Sequence, residues 1–268
     1  MRTSGYDRFL LRIAVTILSL AWALAPASAS EDAHLRVIGF SEDGRYFALE
    51  EYGTMAGSGS PFSSLYIVDL PANRWVAGTP VRRLLREGGF EEGTAYAALA
   101  ALRAEVDAEA APLLTQRSVR IPASVVFARG LGDHAAQPPL NAIRIPFVDW
   151  PLGERAFVQF DLLLEEIPAR NQMPYCVQPP KGYRLTLRQP GADPVVLHAD
   201  TSVPRSRGCA QAYRLSQFLV PDAADCAAAI CPDGPLGVAL ISVFAEGFEG
   251  LGRRFIAVPV PFLRDPQD

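Results

Sequence analysis

Between Val37 and Val76 apolar and polar residues alternate in short runs, and residues that favour turns separate the runs. Val37 to Phe40 precedes Asp43-Gly44 and Tyr46 to Leu49 follows it, a pattern that predicts a hairpin with Gly44 in the positive φ of a tight reversal. A Gly/Ser-rich loop leads to a strand from Leu65 to Leu70. Pro71-Ala72-Asn73 then turns the chain back onto Arg74 to Val76, with Pro presetting φ and Asn tolerating the left-handed region. The expectation is a four-stranded meander.

The rhythm changes at Thr94. Tyr96, Leu99, Leu102 and Val106 recur at three and four residues, which predicts a helix from Thr94 to Ala111, capped by Thr94, ended by Pro112 and packed through one apolar face. Short apolar pieces resume at 119–121, 125–128 and 142–148, with a Gly/Pro-containing loop at 130–139. Further strand patterns cover 157–167, 183–188, 195–198, 213–220, 237–244 and 254–260. Strands at this density, with one packed helix near 94–111, predict a mainly β fold of antiparallel sheets in a sandwich or an incomplete propeller-like arrangement.

The amino terminus sets the compartment. Arg2, Arg8 and Arg12 precede the apolar run 13–25, and Ala27-Ser28-Ala29 follows as a small-residue cleavage site. Residues 1–29 therefore read as a signal peptide and 30–268 as one exported domain, in the periplasm or outside the cell. The apolar run is shorter than the roughly 20 residues a bilayer span needs, so no stable membrane anchor is expected. The leader carries three Arg and Asp7, so its removal takes the net charge from −4 to −6. A mildly acidic chain argues against nucleic acid as a partner, because phosphate backbones demand a concentrated positive field.

Four cysteines in an oxidising compartment read first as disulfides. Three pairings of Cys176, Cys209, Cys226 and Cys231 are open. Cys176 with Cys209 and Cys226 with Cys231 is favoured, because Asp225 to Pro235 looks like a short loop pinched at its neck. A four-thiolate zinc site would need paired short spacings, which the sequence lacks, and no metal or cofactor is expected.

The chemical signals are mostly negative. His34, His134 and His198 each lack a second His at metal-ligand spacing, and Lys181, the only lysine, sits in a Pro-Pro-Lys-Gly turn. There is no Gly-x-Ser-x-Gly elbow, no His-Glu-x-x-His helix and no phosphate loop, and Gly247, Gly250 and Gly252 lack dinucleotide spacing. Ser41 to Gly44 gathers too few oxygens to outrank a turn as a calcium loop. Glu50 and Glu51 end the hairpin strand on opposite faces, and a buried carboxylate needs a partner. Glu50, Glu51 and Glu249 with Arg253 and Arg254 form the candidate ion-pair or binding cluster. The functional expectation is a non-enzymatic binding or envelope interaction module with an unknown protein or small-molecule partner. The alternative is a periplasmic hydrolase using Glu51, Glu249 and Asp133 or His134.

Two resemblances add to this. Gly39 to Ala48 with Leu65 to Leu70 resembles one blade of the TolB-type or WD-like propellers, in which a Ser-x-Asp-Gly turn joins two strands. Gly39 to Gly53, Trp75 to Pro80, and Gly247 to Gly250 with Arg253 to Val258 resemble a family of predicted secreted bacterial proteins, domain of unknown function family 2259. That second resemblance spans nearly all of the mature chain. It implies export and supplies no catalytic residues.

Overall fold

The Asp43-Gly44 reversal forms where the sequence places it. Gly44 has φ +67°, and Asp43 Oδ1 accepts hydrogen bonds from Ser41 Oγ at 2.5 Å and the Arg45 N–H at 3.0 Å. That carboxylate is occupied by the turn itself. The computed structural model of the protein describes residues 32–86, 92–129, 142–145, 160–170, 173–222, 236–248 and 250–261. The expected signal peptide, Asp133, His134, Cys226, Cys231 and Glu249 lie outside the described residues.

The hairpin joins β1 (His34–Ser41) to β2 (Tyr46–Thr54), and β3 (Pro61–Asp69) and β4 (Arg74–Trp75) extend the meander. Asn73 at the second reversal takes φ +46°, as its turn requires. Two further strands complete this first sheet. β5 (Val81–Leu84) shares the outer edge of β3 with β4, and β6 (Val119–Ile121) pairs with β1. The second sheet has the order β14 (Leu251–Pro261), β13 (Leu236–Glu246), β12 (Ala210–Pro221), β7 (Ala123–Ala128). The third runs β11 (Val195–Ala199), β10 (Lys181–Arg188), β9 (Phe160–Pro168), β8 (Ala142–Ile145). All pairings between these strands are antiparallel.

Among the described residues the fold is thus mainly β with one α-helix, and the sheets stack face to face as in a sandwich. The second sheet is the middle layer. Leu219, Val238 and Leu240 face the first sheet, where they meet Phe40, Phe47, Leu49 and Val68. Ala239, Ile241, Val243 and Val258 face the third, against Phe160, Leu162, Tyr183 and Leu185. Burial on both faces explains why β13 reads as an almost unbroken apolar run where the outer strands alternate. Each fully buried Leu, Ile or Phe of these layers contributes roughly 1.5–3 kcal/mol relative to exposure.

The helix α1 (Glu92–Gln116) covers the outer face of the first sheet. It is longer than expected at both ends. Thr94 lies in its first turn, and Pro112 lies inside it. A proline removes one intrahelical hydrogen bond, and here the following turn is retained because Leu113 and Leu114 pack on the sheet. Ser118, at φ +50°, ends the helix instead. The buried stripe runs through Ala95, Leu99, Leu102, Val106 and Ala110. Tyr96, expected on that stripe, is one position off it and is 65% exposed.

Cys176 and Cys209 are joined by a disulfide, which ties the loop before β10 to the start of β12. Glu246 supports the same loop by accepting the Val177 and Gln178 N–H groups, each at 2.9 Å. These two sulfurs, bonded to each other, belong to the staple and not to a zinc site.

Candidate functional site

Strand alternation sends the two adjacent carboxylates of β2 to opposite faces, and both are buried. Glu50 points at α1. It accepts from Arg36 Nε at 2.5 Å, Arg103 Nε at 2.8 Å, Arg103 Nη2 at 2.9 Å and Ser63 Oγ at 2.9 Å. Burial alone would raise its pKa. The hydrogen bonds from Arg103 and Ser63 and the charges of Arg36 and Arg103 outweigh burial and hold it below the ordinary carboxylate value. Arg36 also bonds Asp107 of the helix, so Glu50 is the centre of a clamp between α1 and the sheet. Its partners come from β1 and α1 in place of the expected Arg253 or Arg254, because β14 lies across the other face.

Glu51 points to that other face and is 2% exposed. Its Oε1 accepts the Phe255 N–H, and its Oε2 accepts the Tyr66 hydroxyl at 3.1 Å. Burial raises its pKa, and the Phe255 N–H, the Arg254 charge, the Tyr66 hydroxyl and the Arg82 charge offset only part of that. Tyr66 is pushed up to about 12 by burial and by the neighbouring Glu51. Glu51 and Arg254 are thus the members of the expected cluster that the fold brings together. Arg253 lies 3.9 Å from Asp32.

Around Glu51 opens a cleft of about 580 Å³. One wall is the inner face of the first sheet, where the pairs Glu51–Ser64–Arg82, Leu49–Tyr66 and Val68–Trp75 stand side by side. Tyr66 and Trp75 have ring centroids 5.4 Å apart, and the Arg82 guanidinium carbon lies 5.7 Å from each centroid. Trp75 remains 43% exposed, so this stacked group forms an accessible shelf. Five consecutive residues of β14, Arg254 to Val258, line the floor.

The opposite wall comes from the third sheet and the turn that follows it. Tyr183 and His198 stack at 4.6 Å and 22°. Asp200 holds this wall: it accepts from Arg207 Nη1 at 2.6 Å and from the Tyr183 N–H at 3.0 Å, and its Oδ1 lies 2.9 Å from His198 Nε2. Burial raises the Asp200 pKa, but the His198 and Arg207 hydrogen bonds prevail and keep it low. Arg207 also sits 4.9 Å from the Tyr183 ring centroid.

Among the described residues the lining holds five arginines, Arg74, Arg82, Arg83, Arg207 and Arg254, and a single carboxylate, Glu51. Arg83 is paired with Glu109 of α1 and Arg207 with Asp200, so the positive charge offered to the cleft centres on Arg82, on the Tyr66–Trp75 shelf, in a chain of net charge −4. Of these residues Glu51 and Arg254 were legible as candidates in the sequence, and Arg82, Trp75, Tyr66 and the Asp200 group were not. Elsewhere, Lys181 pairs with Glu166 at 2.9 Å, and His34 packs on Tyr52 at 5.3 Å.

Fold and cleft together define a layered, mainly β protein with a disulfide-pinned loop and an arginine-lined cavity between its sheets. The chain belongs to the DUF2259 family, described as predicted secreted protein, whose profile matches residues 48–261. No curated protein and no solved structure matches the chain. Among the described residues no helix is long and apolar enough to cross a membrane.

Proposed function

We propose that this exported protein is a binding module whose cleft between the first sheet and β14 takes an anionic ligand. The observation that carries the reading is Arg82 lying over the accessible Tyr66–Trp75 shelf in an arginine-rich lining, in a chain of opposite net charge. Arginine suits this role because its planar fork can bond a carboxylate or phosphate while its face stays stacked on an aromatic ring. The Asp200 group supports the reading by fixing the far wall: a preorganised site loses less entropy on binding.

The test is calorimetric titration of the mature protein with polyglutamate, oligogalacturonate and inorganic polyphosphate, each beside an uncharged counterpart. At least one anion binds and its counterpart does not, affinity falls with added salt, and Arg82→Ala weakens binding by about tenfold or more. If every anion fails to bind below about 1 mM, or if Arg82→Ala binds as the wild type does, the reading is wrong. Turnover of any of the three, abolished by Glu51→Gln, would favour the hydrolase alternative instead.

A further inference from the structure

The cleft floor identifies the kind of anion. Side chains of a strand alternate between faces, so five consecutive residues line one cavity where the cavity runs along the strand's edge. Among the described residues β14 is the edge of its sheet. It pairs with β13 and is otherwise met by the Asp32–Arg253 bridge.

The outward polar groups of β14 can be assigned. Arg253 presents its carbonyl to the Ala33 N–H at 3.1 Å, and Phe255 presents its N–H to Glu51. The β13–β14 register is unbroken from Leu236–Pro261 to Glu246–Leu251, so a period of two carries the same direction to Ala257 and Pro259. The Phe255 carbonyl and the Ala257 N–H and carbonyl therefore point into the cleft. Pro259 and Pro261 lack an N–H, which limits the donors of the edge to this one stretch.

We infer that the cleft receives an extended acidic peptide, which adds a strand to the Phe255–Ala257 edge and sets a carboxylate against Arg82. Main-chain pairing supplies affinity and alternate side chains supply selectivity. Charge complementarity selects an acidic segment, since among the described residues Glu51 is the one carboxylate in the lining and is already held by the Phe255 N–H and Tyr66. A sugar acid or a polyphosphate would use the arginines but leave the strand edge unengaged. This inference rests on the anion-binding reading above.

Fluorescence anisotropy of a labelled (Glu-Val)4 peptide with the mature protein tests it, beside the same peptide N-methylated on alternate residues and beside (Lys-Val)4. The acidic peptide binds, N-methylation on the pairing side weakens it by about three- to tenfold per hydrogen bond removed, and (Lys-Val)4 does not bind. Ala257→Pro, which deletes the edge donor at a position where a sheet edge tolerates proline, gives a comparable loss. Its melting temperature reports whether the variant folds, and the N-methylated peptides test the same bonds in the unaltered protein. Equal affinity of methylated and unmethylated acidic peptides overturns strand addition while leaving anion binding intact. Binding of oligogalacturonate or polyphosphate without binding of the peptide does the same. Failure of every anion overturns both readings.

Discussion

Replacing Glu50 probes the clamp that joins helix to sheet. Glu50→Ala deletes the acceptor of four hydrogen bonds, three of them from guanidinium nitrogens, and leaves Arg36 and Arg103 facing each other without it. Removing one partner from a buried ionic group costs about 3–5 kcal/mol when the other charge stays buried. Arg36 and Arg103 keep 37% and 27% side-chain exposure and can rehydrate, so the expected loss is about 2–3 kcal/mol. For a chain of this size that lowers Tm by about 5–10 °C. Glu50→Gln keeps the shape but not the charge, and loses about half as much. The pH dependence has a definite sign. The folded pKa of Glu50 is lowered, so its contribution is present above the unfolded value of about 4.3 and is lost as pH falls through the folded value. Thermal melts at pH 7, 5 and 3.5 should therefore show the gap between wild type and Glu50→Gln closing on acidification. A gap under about 1 °C at pH 7, or one unchanged at pH 3.5, would refute the reasoning.

Glu51 should behave in the opposite sense. Its folded pKa is raised, so its contribution is present at acid pH and is lost as pH rises through the folded value; Glu51→Gln should match or exceed wild-type Tm at pH 7, and a clear loss there would contradict this. The Cys176–Cys209 staple closes a loop of sequence separation 33, worth about 3–4 kcal/mol on chain-entropy grounds. Denaturant unfolding of the Cys176→Ser, Cys209→Ser double variant should show most of that loss, and a change below about 1 kcal/mol would count against it. Gly39 has φ +137°, and a Cβ there would lie 2.3 Å from the Ile121 carbonyl oxygen, so Gly39→Ala should force β1 and β6 apart. The expected cost is about 2 kcal/mol or more, with faster amide exchange in β6, and unaltered exchange there would argue against it.

Local devices were legible in the sequence, and the long-range ion pairs were not. Asp43-Gly44 and Asn73 announce their turns because a positive φ selects few residue types. The opposed directions of Glu50 and Glu51 follow from strand period alone. Their partners do not: Arg36 is 14 residues away across the hairpin and Arg103 is 53 away on the helix, distances that only the packing of α1 resolves. The Cys176–Cys209 pairing was favoured from the sequence and is present, while the Pro112 helix stop was overridden by the packing of Leu113 and Leu114. β5 went unread because only Val81 of its four residues is buried, which leaves no alternation to detect. The cleft assembles from all three sheets, and no window of sequence contains it. Its one advance sign was the charge pattern, since Arg82 and Arg83 stand only seven and eight residues beyond Trp75.

Amide and indole NMR shifts of the mature protein during titration with (Glu-Val)4 test the central claim most directly. Strand addition predicts saturable shifts confined to Phe255–Val258, Tyr66, Arg82 and the Trp75 indole. Shifts centred on another surface, or none at peptide concentrations up to about 1 mM, would contradict it.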